Sequence, residues 1–195
     1  MKIFLIRHGE TTGDIENRYG GTYDDHMTER GKNSARDLAK KLTNKSIEKI
    51  FASPYHRARE TAEIIGEELE LTPEIVDDIR ERNSYGILSG LTEAEAAEKF
   101  PREIVEVKDY HNTVQGAEDY NDFVTRIKSA LNNLMKTNFE TIAMVTHGQF
   151  IRTIFRELLK LDEIKIEDCG FAVLENDGKN WWLIESDGIA KKGTS

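Results

Sequence analysis

The chain has 195 residues, 38% hydrophobic and 32% charged, with a formal net charge of -9. That acidity argues against a nucleic-acid or anionic-membrane partner, either of which wants a basic face, and no stretch approaches the ~18 apolar residues of a membrane span. The length suits a single domain over residues 1–195, and the lone Cys169 together with a short N-terminal apolar run predicts a cytoplasmic protein without disulfides or secretory signal.

Lys2 to Ile6 is an apolar run that stops at Arg7-His8-Gly9, which reads as a buried strand entering a polar turn. Thr11 to Asp25 follows as a long loop containing Gly13, Gly20 and Gly21; loops of that length are commonly functional, and Tyr19 and Tyr23 favour an ordered one. Thr28 is placed to cap a helix whose apolar stripe is Ala35, Leu38, Ala39 and Leu42. Ile47 to Ala52 reads as a second strand. Ser53-Pro54 then supplies an N-cap and a first-turn proline for a helix burying Ala58, Ala62, Ile65 and Leu69, with Arg57 and Arg59 in its first turns. Pro73 to Ile79 reads as another strand, followed by the polar turn Arg80 to Gly86. Thr92 caps a short helix from Glu93 to Lys99, which Pro101 helps to stop. Arg102 to Gln115 carries no legible pattern. Glu118 to Met135 has a helical period in Phe123, Ile127, Leu131 and Leu134.

Thr141 to Thr146 then repeats the opening grammar: an apolar run, His147-Gly148, and a periodic helix to about Leu161. Cys169 to Leu174, a turn at Asn176-Asp177-Gly178 and Trp181 to Ile184 read as a hairpin, and Lys191 to Ser195 as a frayed tail. Strands alternating with helices predict an α/β fold, a three-layer α/β/α sandwich. Its central sheet is mostly parallel, with the C-terminal hairpin at an edge.

In open α/β sheets ligands collect outside the carboxyl ends of strands. His8 and His147 are therefore expected to face each other across one site. Glycine after each would let backbone N–H groups approach an anion closely.

Arg7-His8-Gly9-Glu10-Thr11, the run Ser53 to Ala62 around Arg57, the turn containing Glu81, and Thr146-His147-Gly148 occur in a fixed order. In that order and approximate spacing the chain resembles the histidine phosphatase superfamily, the phosphoglycerate-mutase-like enzymes, from residue 2 to about residue 155. Gly20-Gly21 and Met27 to Gly31 match its connecting motifs. The resemblance implies a metal-independent phosphomonoesterase that hydrolyses small-molecule phosphate esters through a phosphohistidine.

Residue chemistry points the same way. A neutral imidazole is a good nucleophile near neutral pH, which makes His8 the candidate. The transferring phosphoryl group spreads negative charge over its oxygens, so catalysis is mainly positioning plus preorganised positive charge. Arg7, Arg57, His147 and Gly148 would bind it, the planar Arg fork meeting two oxygens at once. By resemblance the proton donor to the leaving group is Glu81. The family acid commonly stands one residue closer to the aromatic-Gly pair, so either Asn83-Ser84 holds a one-residue bulge or the acid is elsewhere, with Glu10 and Glu118 as helpers.

Asp14, Arg18, Gly21 and Thr22 form the expected substrate loop. Many relatives carry Asn at the position of Asp14; an ionised carboxylate has no donor and repels phosphate, so Arg18 with the Gly21 and Thr22 backbone would take over that contact. His26, His56 and His111 read as surface groups. No cofactor or metal is expected. The runner-up is a phosphoglycerate mutase dependent on 2,3-bisphosphoglycerate, and a third reading is an inactive phospho-ligand-binding module. The expected partner is a phosphorylated small molecule, and the oligomeric state is open, with a homodimer among the options. The residues that would select the substrate fall between Gly90 and Gly116, where no motif is legible.

Overall fold

A computed structural model describes residues 1–161 and 163–191. In chain order the elements are β1 (Lys2–Arg7), α1 (Thr12–Ile15), α2 (Glu29–Leu42), β2 (Lys49–Ala52), α3 (His56–Leu69), β3 (Glu74–Ile75), α4 (Glu93–Lys99), α5 (Glu103–Glu106), α6 (Tyr120–Leu134), β4 (Thr141–Thr146), α7 (Gly148–Glu157), β5 (Ile164–Asn176) and β6 (Trp181–Lys191). The six strands form one sheet in the order β3-β2-β4-β1-β5-β6. Its first four strands are mutually parallel, and β5 and β6 join antiparallel at the far edge.

The layers follow from side-chain alternation. Ile3 and Leu5 of β1, with Ile142 and Met144 of β4, face a core shared with α6 and α7. Phe4 and Ile6, with Ala143 and Val145, face the core under α2 and α3. Strands buried on both faces read as continuous apolar runs, which is why β1 and β4 stood out in the sequence. The α2 stripe of Ala35, Leu38, Ala39 and Leu42 is buried, and each fully buried Leu contributes about 1.5–3 kcal/mol. The Thr28 hydroxyl accepts from the Gly31 N–H at 2.9 Å and sets the start of that helix. Among the described residues no helix is long and apolar enough to cross a membrane.

Several boundaries differ from the expectation. Only Glu74–Ile75 of the expected strand Pro73 to Ile79 pairs with β2; Asp77–Ile79 turns into a 3-10 helix, as two consecutive aspartates poorly suit a strand. Helix α3 begins at His56 with Tyr55 as N-cap, and Ser53 is not its cap. The α6 cap is Asp119, whose carboxylate accepts from the Asn121 and Asp122 N–H groups. Helix α7 stops at Glu157, short of Leu161. The loop after β1 contains the short helix α1, and the segment with no legible pattern contains α5. The hairpin is far longer than expected, pairing from Ile164 opposite Lys191 to Asn176 opposite Trp181. A register shift between Ile166 and Phe171, with Cys169 at φ 56°, hid its first half. The expected tail lies outside the described residues beyond Lys191.

Candidate active site

The carboxyl ends of β1 and β4 lie side by side, and the His8 N–H donates to the Thr146 carbonyl at 3.1 Å, extending the ladder into the turn. The imidazoles of His8 and His147 meet edge to face, with ring centroids 5.1 Å apart. His8 is 6% exposed and His147 fully buried. His8 Nδ1 lies 2.8 Å from the Gly9 carbonyl oxygen, which can only accept. Nδ1 therefore carries the proton and Nε2 the lone pair. Burial, then the Arg57 and Arg7 guanidiniums, lower the His8 pKa well below its ordinary value. His147 is lowered for the same reasons, burial first and then Arg57 and His8. His147 Nε2 sits 2.7 Å from the Ser53 hydroxyl, which explains why Ser53 does not cap α3. His147 Nδ1 is buried with no hydrogen-bond partner among the described residues.

A cavity of ≈ 190 Å³ opens at these strand ends, with Arg7, His8, Arg57, Glu81 and Gly148 in its wall. Arg57, 4% exposed, is anchored from the loop after β1: its Nη1 donates to the Tyr23 carbonyl at 2.7 Å and to Asp25 Oδ1 at 3.0 Å. Asp25 Oδ2 accepts from the Gly13 N–H at 3.0 Å, so one buried carboxylate ties the loop to the arginine. Arg7 is held from the hairpin instead, by Asp168 at 2.9 Å and by the Ile166 carbonyl at 2.8 Å. Burial raises the Asp168 carboxyl, and Arg7 opposes that shift. Neither Asp25 nor Asp168 stood out in the sequence. Both are single acids in an acid-rich chain, marked only by the arginine they reach in space.

Glu81 lies in the cavity wall, and its carboxylate closes the amino end of α7. Oε2 accepts from Gln149 N–H at 3.0 Å, while Oε1 accepts from Phe150 N–H at 3.2 Å and Arg82 N–H at 2.9 Å. The N-cap His147 makes no side-chain cap of its own, so Glu81 does that work and lies where the helix dipole favours an anion. The segment after Glu81 bends sharply, the Ser84 N–H donating to the Arg82 carbonyl at 2.8 Å in a three-residue turn. Glu118 is committed to Arg126 at 2.7 Å and Glu10 to the Thr28 hydroxyl at 2.8 Å, and neither is among the residues lining the cavity.

The expected substrate loop is only partly assembled. Asp14, Arg18 and Gly21 line the cavity, but Thr22 is exposed and outside it. A turn closed by the Tyr23 N–H on the Gly20 carbonyl, with Gly21 at φ 64°, carries Thr22 outward. Asp14 does not meet Arg18. Its Oδ2 accepts from the Thr11 N–H and hydroxyl, both at 2.9 Å, in a capping box for α1. Arg18 turns instead to Glu16 and to the Gly90 carbonyl at 2.7 Å. The role expected for Gly9 also changes. Its N–H is taken by the Thr61 hydroxyl at 3.1 Å, and a Cβ there would lie 2.8 Å from the Gly31 carbonyl oxygen. Gly9 serves close packing against α2 and not approach to an anion.

His26 and His56 pair with Glu60 and Asp24, and His111 with Asp109, all on the exposed surface. Arg152 and Gln149 of α7 also line the cavity, though no local motif in the sequence marks them; Arg152 stands four residues after Gly148, on the same helix face. Among the described residues no group of three or more His, Cys, Asp or Glu side chains could hold a metal ion.

The family description "Histidine phosphatase superfamily (branch 1)" matches residues 3–186. Phosphoserine phosphatase 1 of Hydrogenobacter thermophilus is 31% identical over 173 residues, covering 87% of this chain and 82% of that one. The metal-independent phosphoserine phosphatase of Arabidopsis thaliana is 30% identical over 194 residues, covering 95% and 80%. Among solved structures, Bacillus stearothermophilus YhfR superposes with a TM-score of 0.85 at 25% identity, covering 96% of each chain.

Proposed function

Since the chain belongs to the histidine phosphatase superfamily, we propose that it is a metal-independent phosphomonoesterase in which His8 Nε2 carries the phosphoryl group. The observation that carries this reading is the fixed tautomer of His8, with the Nδ1 proton on the Gly9 carbonyl and burial keeping the ring neutral. In the first step the Nε2 lone pair forms the N–P bond as the ester P–O bond breaks. Binding the phosphate dianion beside Glu81 favours its carboxylic acid form over the carboxylate that caps α7, and the leaving alkoxide takes that proton from Oε2, which accepts a single amide. In the second step water attacks phosphorus, Glu81 takes back a proton, and the P–N bond breaks to release phosphate and neutral His8. Arg7 and Arg57, held in place by Asp168 and Asp25, stabilise the charge on the transferring oxygens. His147 Nδ1 adds a donor there when it carries the proton. No cofactor takes part.

The test is His8→Ala. Turnover of small phosphate esters and an acid-labile, base-stable label from a phosphorylated substrate should both vanish, since no other nucleophile is in line. Unchanged turnover would end the mechanism. Interconversion of phosphoglycerates that requires 2,3-bisphosphoglycerate and releases little phosphate would replace the hydrolase with the mutase. Vanadate binding without any turnover would leave a binding module.

A further inference from the structure

Ser53 is fully buried one residue past the end of β2, where its N–H donates to the Val145 carbonyl at 3.0 Å and continues the ladder between β2 and β4. That pairing sets its side chain beside the end of β4, with Oγ 2.7 Å from His147 Nε2. Oγ accepts the Tyr55 N–H at 3.5 Å, so a donor already faces one of its lone pairs. For its own proton the hydroxyl has one acceptor among the described residues, and that is Nε2. The opposite arrangement, with Nε2–H donating to Oγ, would leave the hydroxyl proton buried and unpaired. Burial and the neighbouring Arg57, His8 and Arg7 disfavour a second proton on the ring. The single proton therefore sits on Nδ1, the ring atom that is buried with no partner among the described residues. The His147 ring packs edge-on against His8, at 5.1 Å between centroids, and is followed in the chain by Gly148; both neighbours stand in the cavity wall.

A buried imidazole N–H with no protein acceptor, beside the cavity that holds Arg7 and Arg57, is a donor kept for an anion's oxygen. We propose that Ser53 is a positioning residue for phosphoryl transfer, its hydroxyl locking His147 in the tautomer whose Nδ1–H donates to a phosphoryl oxygen. The inference rests on the phosphatase reading and deepens it. His8 and His147 then hold the same tautomer and use opposite ends of it. At His8 the Gly9 carbonyl takes the Nδ1 proton and leaves the Nε2 lone pair for phosphorus. At His147 the Ser53 hydroxyl takes the Nε2 lone pair and leaves the Nδ1 proton for oxygen. A lone pair in that second place would repel the oxygens it should hold, so without the hydroxyl the ring divides its time between a productive and an unproductive form.

The experiment joins kinetics to a direct view of the proton. Ser53→Ala should lower kcat for nitrophenyl phosphate about 10- to 100-fold with a smaller change in KM, short of the ~10²–10³ that removing such a donor outright costs. Ser53→Thr keeps a hydroxyl and should recover most of the loss. In His147→Asn a carboxamide N–H stands in for Nδ1–H and has no tautomer to set, so adding Ser53→Ala there should cost less than about 3-fold, a coupling that independent sites would not show. In 15N spectra of histidine-labelled protein, the His147 ring, identified by its loss in His147→Asn, should show a protonated Nδ1 and a bare Nε2 in wild type and a mixture in Ser53→Ala. Thermal melts identify any variant that fails to fold, and the wild-type spectrum decides without them. A protonated Nε2 in wild type overturns the proposal. So does a Ser53→Ala loss equal in the two backgrounds, which would make Ser53 a packing residue. Absence of hydrolysis and of label on His8 removes the phosphatase reading, and the proposal with it, even where the spectrum shows the expected tautomer.

Discussion

At the scale of single residues, His8 and His147 bring opposite consequences for activity and for stability as the pH falls. Burial and neighbouring guanidiniums lower both pKa values well below the ordinary 6.5. For catalysis this extends the neutral, nucleophilic form of His8 into acid. Corrected for the substrate's own second ionisation near pH 6, the acid limb of kcat/KM should lie clearly below pH 6.5. For stability the sign is reversed. Below about pH 6.5 the unfolded chain protonates both imidazoles while the native state does not, so the unfolded state binds more protons and stability drops with the pH. The loss is about 1.4 kcal/mol per pH unit for each histidine until its folded value is reached. Melting temperatures between pH 5 and 7.5 check this, and a His147→Asn variant should show a shallower slope. A flat profile in that window would contradict the burial argument. Glu81 gives the second prediction at this scale. Glu81→Gln replaces one carboxylate oxygen by a donor, so one of three amides loses its acceptor, at about 1–3 kcal/mol in stability. Alkyl phosphates should also slow far more than nitrophenyl phosphate, whose leaving group needs little protonation. An equal loss on both esters would leave Glu81 a helix cap alone. His8, His147, Arg7 and Arg57 were legible because each sits inside a local motif. Asp25, Asp168 and Arg152 were not, because what marks them is a partner or a cavity wall distant in sequence: 32 residues separate Asp25 from Arg57.

At the scale of elements, the site depends on how closely β1 can approach α2. A Cβ on Gly31 would stand 2.3 Å from the Glu10 carbonyl oxygen, a backbone atom that cannot swing aside. Gly31→Ala should therefore push the amino end of α2 off the His8 turn, with a cost on the order of 1–3 kcal/mol for overpacking and a matching drop in kcat. Gly148→Ala meets nothing closer than the Arg152 tip at 3.4 Å, so the fold should melt within a few degrees of wild type. Differential scanning of the pair checks the contrast, and a Gly31→Ala protein as stable and active as wild type would refute it. The elements legible in the sequence, β1, β4 and α2, bury a continuous run or a clean stripe. Those misjudged failed for local reasons. β3 shrank because Asp77 and Asp78 follow it, β5 was cut short by the irregularity around Cys169, and α1 is a single turn held by the Thr11–Asp14 capping box. The box also explains the aspartate that the sequence left as a conflict with phosphate: its carboxylate is occupied by the N–H and the hydroxyl of Thr11, the N-cap of α1.

At the scale of the whole molecule, the proposed nucleophile sits at the end of the first strand, yet apart from the Gly9 carbonyl the groups around it come from far along the chain. His8 hangs between the Thr146 carbonyl on one side and the Cys169 N–H, 3.2 Å from its own carbonyl, on the other. Its neighbour Arg7 is aimed by Asp168. A ribosome adding roughly 5–20 residues per second needs on the order of ten to thirty seconds to travel from His8 to Asp168. Through that interval the growing chain holds its imidazole beside an arginine with no Asp168 to orient it, and a first strand that gains β4 late and β5 last. The late hairpin is thus expected to act as a timer. It would delay the competence of the proposed nucleophile until nearly all of the described sheet has emerged, so a chain released before Asp168 should carry His8 without turnover.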